Sequence, residues 1–149
     1  MNKHRRLKYY QGALQFWLGA SELQLSRCLA PSCGSDAARA DINFYVVAVQ
    51  RVREVARLCK DKAGLDDAAV LLQEFDKQWP RFKELRHQQE HIKDLSDEPP
   101  YGIWYFKDVV AELGIGGDVN YLVRVDEMQV SVRALANGLE ALIARELEK

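Results

Sequence analysis

Apolar residues recur at helical spacing in four stretches of this chain. In residues 7–29, Leu7, Tyr10, Leu14, Trp17, Leu18 and Leu25 follow the i, i+3, i+4, i+7 rhythm of an amphipathic helix. Residues 30–35, Ala-Pro-Ser-Cys-Gly-Ser, concentrate turn formers and predict a loop. A second stripe of Ile42, Tyr45, Val46, Val49, Val52, Ala56 and Cys59 predicts a helix over 37–63, capped by Ser35 or Asp41 and stopped at Gly64. Arg51, Arg53, Arg57 and Lys60 then form its basic, exposed side. A third helix starts near Asp66 and carries Val70, Leu71, Leu72, Phe75 and Trp79. Pro80 lacks an amide proton and clashes with the preceding turn, which predicts a kink or a new helix with the proline in its first turn. Pro99-Pro100 ends that helix.

The period changes after the prolines. Residues 101–106, Tyr-Gly-Ile-Trp-Tyr-Phe, are aromatic and β-prone, and residues 119–125 are also strand-like. The glycine-rich residues 114–118 between them signal a turn, so a β-hairpin is expected, with a short helix over 107–113 as the competing reading. Met128, Val132, Leu135, Ala136, Leu139, Leu142, Ile143 and Leu147 predict a last helix over 127–146 with Asp126 as N-cap. Asn137-Gly138 in its middle costs about 1 kcal/mol of helix propensity, and Gly138 is expected where another helix comes close. The expected fold is mainly α: a single domain over residues 1–149, a four-helix bundle with a small β-hairpin between the third and last helices.

Composition narrows this picture. Hydrophobic residues make up 48% and charged residues 29% of 149 positions, enough to build a packed core rather than a disordered chain. The net charge of −1 argues against broad, sequence-independent binding along nucleic-acid phosphates, though a local basic groove is compatible with it. Lys3, Arg5, Arg6 and Lys8 precede the first acid, Glu22, and are read as a frayed, solvated terminus. Cys28, Cys33 and Cys59 are an odd count with no secretion signal, which points to reduced thiols and a cytoplasmic location. No apolar run reaches the ~18 residues of a membrane span, so no membrane association is expected.

Candidate chemistry concentrates in residues 81–97, RFKELRHQQEHIKDLSD. As a helix, this stretch places Phe82, Leu85, Ile92 and Leu95 on one side. Arg86, His87, Glu90, His91 and Asp94 share an arc of roughly 140° on the other. A mixed-charge arc is also what a solvated helix side presents, with i,i+4 ion pairs worth a few tenths of a kcal/mol each, about 0.3. Those pairs account for the charges but not for two histidines. His87 and His91 are spaced as zinc ligands can be, with Glu90 and Asp94 near them. The order HExxH is absent and Arg86 repels a cation, so neither metal nor cofactor is expected.

RNA cleavage needs no metal, because the 2′-OH is an internal nucleophile. Histidine, with an unperturbed pKa of about 6.5, can take or give that proton. Arginine keeps its charge and offers a planar fork of donors to the phosphate.

The spacing Arg86-x4-His91, with the polar His87 after the arginine, resembles the R-x4-6-H motif of HEPN domains, small α-helical proteins often associated with RNA cleavage. The string LRHQQEHIKD is also similar to the R-x-x-x-E-H-x-x-D form of some HEPN-like proteins. The resemblance implies a homodimer with a composite site. His91 would be the catalytic acid or base, Arg86 the phosphate binder, His87 a substrate-positioning group, and Glu90, with Asp94 beside it, an orienting group. Tyr101, Trp104 and Tyr105 would flank the site, where aromatic rings can stack on unpaired bases, but packing against the bundle is the preferred role, because a hairpin alone is not stable in water.

Three functions follow as expectations. The first is a HEPN-like metal-independent endoribonuclease, a toxin or defence effector with a protein antitoxin. The second is a non-enzymatic HEPN-like dimerisation module binding RNA, a nucleotide or a protein partner. The third is a structural bundle with no ligand on this face.

Overall fold

The computed structural model describes residues 2–28, 35–83, 112–115 and 118–149. Four long helices dominate the described residues: α1 (Lys3–Cys28), α2 (Ser35–Ala63), α3 (Asp66–Gln78) and α4 (Val125–Leu147). α1 packs on α2, α2 on α3, α3 on α4, and α4 back on α1, so the four close a helical bundle. Its core contains Leu7, Leu14, Tyr45, Val49, Met128 and Leu139, each buried and each on the apolar stripe of its own helix. The patterning expected from the sequence holds for α1, α2 and α4; in α3 Phe75 is buried, but Val70, expected on the same stripe, is 63% exposed.

Local chemistry sets their ends. Asn2 caps α1: its Oδ1 accepts the Arg5 amide at 2.8 Å, and its carbonyl accepts that of Arg6 at 3.1 Å. The first residues are thus helical from Lys3, not frayed. Lys3 reaches Glu146 at 2.5 Å, and Arg6 donates to the Lys62 carbonyl. Paired with Lys149 and Lys3, the Glu146 carboxyl is held down at about 2. α2 stops at Gly64, whose φ of 68° is open to glycine without strain. The Gly64 amide reaches the Lys60 carbonyl at 3.1 Å and the Leu65 amide reaches that of Cys59 at 3.0 Å.

Two expected caps are corrected. Asp41 lies inside α2, buried, where its carboxylate meets Arg27 Nε at 3.2 Å. Asp126 lies in the first turn of α4, and the N-cap is Arg124. The helix starts two residues earlier than expected, with Val125 fully buried in its first turn, and Asp126 instead accepts from the Arg124 guanidinium at 3.0 Å.

Gly138 meets the expectation of a close helix approach. A Cβ there would stand 2.8 Å from Leu71 Cδ1, so α3 and α4 touch where the side chain is missing.

The hairpin expected with residues 101–106 as its first strand is not seen. β1 (Glu112–Ile115) pairs antiparallel with β2 (Asp118–Arg124), Leu113 opposite Val123 and Gly114 opposite Leu122. Gly114 and Ile115, expected in the turn, belong to β1. Only Gly116-Gly117 separates the strands in sequence, and two-residue links of this composition suit hairpins. Residues 101–111 lie outside the described residues; the last two positions of the competing helix, Glu112 and Leu113, are in β1.

Cys28 and Cys59 are buried and not joined in a disulfide, while Cys33 lies outside the described residues. Burial pushes Cys59 up to about 12. The native state holds this proton to higher pH than the unfolded thiol, whose value is near 8.5. The resulting stability is complete below that value and is lost as pH climbs toward about 12. Iodoacetamide at neutral pH is expected to leave Cys59 unmodified until denaturant is added, as read by peptide mass spectrometry. Rapid native labelling of Cys59 would contradict this burial.

Candidate site at the arginine–histidine segment

The stretch that carries Arg86 and His91 begins directly after α3, and of it residues 81–83 are described. α3 closes at Gln78, where the Trp79 amide donates to the Phe75 carbonyl at 2.9 Å. Pro80 has no amide to continue the ladder, so the chain turns. The Phe82 amide then bonds the Trp79 carbonyl at 3.1 Å, and Phe82–Lys83 are helical again. Pro80 thus breaks the helix rather than bending it.

Phe82 fixes where the new segment departs. Its ring is buried, edge-on to Phe75 with centroids 5.9 Å apart. Against both rings lies the guanidinium of Arg53, 5.3 Å from the Phe82 centroid and 5.9 Å from that of Phe75. Arg53 is only 1% exposed. Its Nε and Nη2 donate to Asp76 Oδ1 at 2.9 and 2.5 Å, and its Nη1 to Gln50 Oε1 at 2.8 Å. α2, α3 and the first residues after Pro80 therefore meet on one buried cation.

This corrects the reading of Arg53 as part of an exposed basic side. Arg51, Arg57 and Lys60 are exposed, but Arg53 is not. The signal was in the wheel: Arg53 follows Val49 by four and precedes Ala56 by three, inside the apolar arc. With Nε, Nη1 and Nη2 all engaged, Arg53 is a structural cation and not a phosphate ligand. Arg51 is also partly committed, bonding Glu54 at 2.7 Å and lying 5.9 Å over the Trp17 ring.

Arg86, His87, Glu90, His91, Asp94, Tyr101 and Trp104 lie outside the described residues, as does Tyr105. The described residues end three positions before Arg86, at Lys83; Phe82 stands four positions, about one helical turn, before it. Among the described residues, no three His, Cys, Asp or Glu side chains are grouped to hold a metal ion. None of the helices there is long and apolar enough to cross a membrane.

Compared with protein-family models, curated proteins and solved structures, the chain matches none.

Proposed function

We propose that this protein is a HEPN-like, metal-independent endoribonuclease acting as a homodimer, in the manner of a toxin or defence effector. The observation that carries the reading is the Arg86-x4-His91 spacing, with His87 and Glu90 on the same arc. The helical bundle supports it by supplying a rigid base, and the Arg53–Phe82 cluster by holding the segment's start. In this reading His91 removes the 2′-OH proton and the freed oxygen attacks the adjacent phosphorus. Arg86 neutralises charge on the non-bridging oxygens. An imidazolium, from His87 or from His91 of the second copy, protonates the departing 5′-oxygen. The products are a 2′,3′-cyclic phosphate end and a 5′-hydroxyl end. RNA methylated at every 2′-OH is expected to resist cleavage completely, because its nucleophile is gone. Equal cutting of methylated and ordinary RNA, read on a denaturing gel, would sink the mechanism.

The net charge of −1 favours a second reading, a non-enzymatic module that holds a nucleotide phosphate or a protein partner on this face. A phosphate-binding face loses affinity steeply with salt, whereas a protein-binding face does not.

A further inference from the structure

α1 is apolar on two sides. One side carries Leu7, Leu14 and Leu25 into the core. The opposite side carries Tyr9, Phe16 and Leu23, exposed at 67%, 65% and 55% and spaced by seven residues. Gly12 and Gly19 lie between them on the same line, each with open space where a Cβ would be. Single exposed apolar residues are ordinary, but a continuous row marks a contact surface. On the flank of α1 that meets α2, Trp17 joins this row to α2. There Phe44, Val47 and Leu58 are also exposed.

We propose that this face is the contact between two copies of the chain, with the two α1 helices antiparallel. Three observations select a second copy as the occupant. The first is shape. Large residues and glycines alternate at heptad positions, so an antiparallel copy sets Phe16 over Gly12 of the second copy and Tyr9 over its Gly19, each knob in the other's gap. By two-fold symmetry the same contacts form twice.

The second is charge. One edge of the row carries Lys8 near its start and Glu22 near its end. An antiparallel arrangement brings Lys8 of each copy to Glu22 of the other, while a parallel one sets like against like. Glu22 is 43% exposed, and Arg133 takes only its Oε1, at 2.7 Å, leaving the second oxygen for Lys8. The third is area. At about 150–200 Å² per large side chain, the exposed parts of these α1 and α2 residues amount to roughly 600 Å². That is most of the ~800 Å² per partner found in stable interfaces.

The surface is assigned without reference to Arg86 or RNA: a dimer indifferent to Phe16→Glu overturns this surface and leaves the homodimeric ribonuclease reading standing, whereas a dimer that cuts no RNA does the reverse. The test is molar mass by sedimentation equilibrium at micromolar concentration, for wild type, Phe16→Glu, Lys8→Glu, Glu22→Lys and the double charge swap. Phe16 and Lys8 are exposed, Glu22 is half-exposed beside Arg133, and circular dichroism checks the fold of every variant. Wild type is expected to be a dimer. Phe16→Glu should weaken it by about 100-fold, as removal of a central anchor does. Each single charge change should weaken it, and the double swap should restore it. A monomeric wild type, or a dimer indifferent to Phe16→Glu, would overturn the proposal. A dimer that the double swap fails to restore would overturn the antiparallel arrangement.

Discussion

Asp76→Ala is expected to destabilise the bundle by about 3 kcal/mol, more than Arg53→Met at the other end of the same ion pair. Removing the aspartate leaves the Arg53 guanidinium buried with Gln50 as its remaining hydrogen-bond acceptor in the cluster, and an uncompensated buried charge costs about 3–5 kcal/mol. The low end applies because Asp76 is 31% exposed and solvent can enter the space it vacates. Replacing Arg53 with methionine removes the charge and keeps an apolar chain between Phe75 and Phe82. The aspartate left behind is partly solvated, so the cost falls to about 1–2 kcal/mol. Urea denaturation followed by circular dichroism gives the order. The melting temperature of Asp76→Ala should fall by roughly 6–12 °C for a chain of this size. The reverse order would mean that ring packing, and not charge pairing, holds the guanidinium.

His91→Ala and Arg86→Ala are each expected to reduce RNA cleavage by about 100- to 10,000-fold. A positioned acid–base group contributes about that range, and a preorganised donor to the developing phosphate charge contributes at least the lower part of it. Arg86→Lys should not rescue. It keeps a positive charge but replaces the planar fork with a point charge, so two non-bridging oxygens are no longer held together. Initial rates on a short labelled RNA check this, with mass and melting temperature matched to wild type. Full activity of Arg86→Lys would mean that charge alone is needed and that fork geometry plays no part.

The helical bundle was legible because core formation imposes a period on the chain. Val49, Val52 and Ala56 had to recur on one face of α2, and Met128, Val132 and Leu139 on one face of α4, for either helix to bury a stripe. Gly64 and Gly138 were legible for a related reason: each occupies a position where a side chain meets a backbone or packing constraint. Arg53 was misread because residue type was weighed above position. A guanidinium can enter a core when a carboxylate, an amide and two rings surround it, and only tertiary structure brings Asp76 and Phe82 to it. The hairpin was misread because aromatic composition marks β-propensity without marking which strand pairs with which. The outer row of α1 was not legible, because Tyr9, Phe16 and Leu23 fall off the core stripe and only tertiary structure shows which apolar residues stay exposed. Arg86, His87, Glu90 and His91 were legible only as spacing and chemistry, and they lie outside the described residues.

The most direct test of the ribonuclease reading is cleavage of a defined RNA in EDTA by folded wild type, beside His91→Ala and Arg86→Ala of the same oligomeric state. The expected result is wild-type cleavage leaving a 2′,3′-cyclic phosphate, with both variants nearly silent. Folded wild type that leaves the RNA intact, or variants that cut as fast as wild type, would contradict the assignment of this segment as an active site.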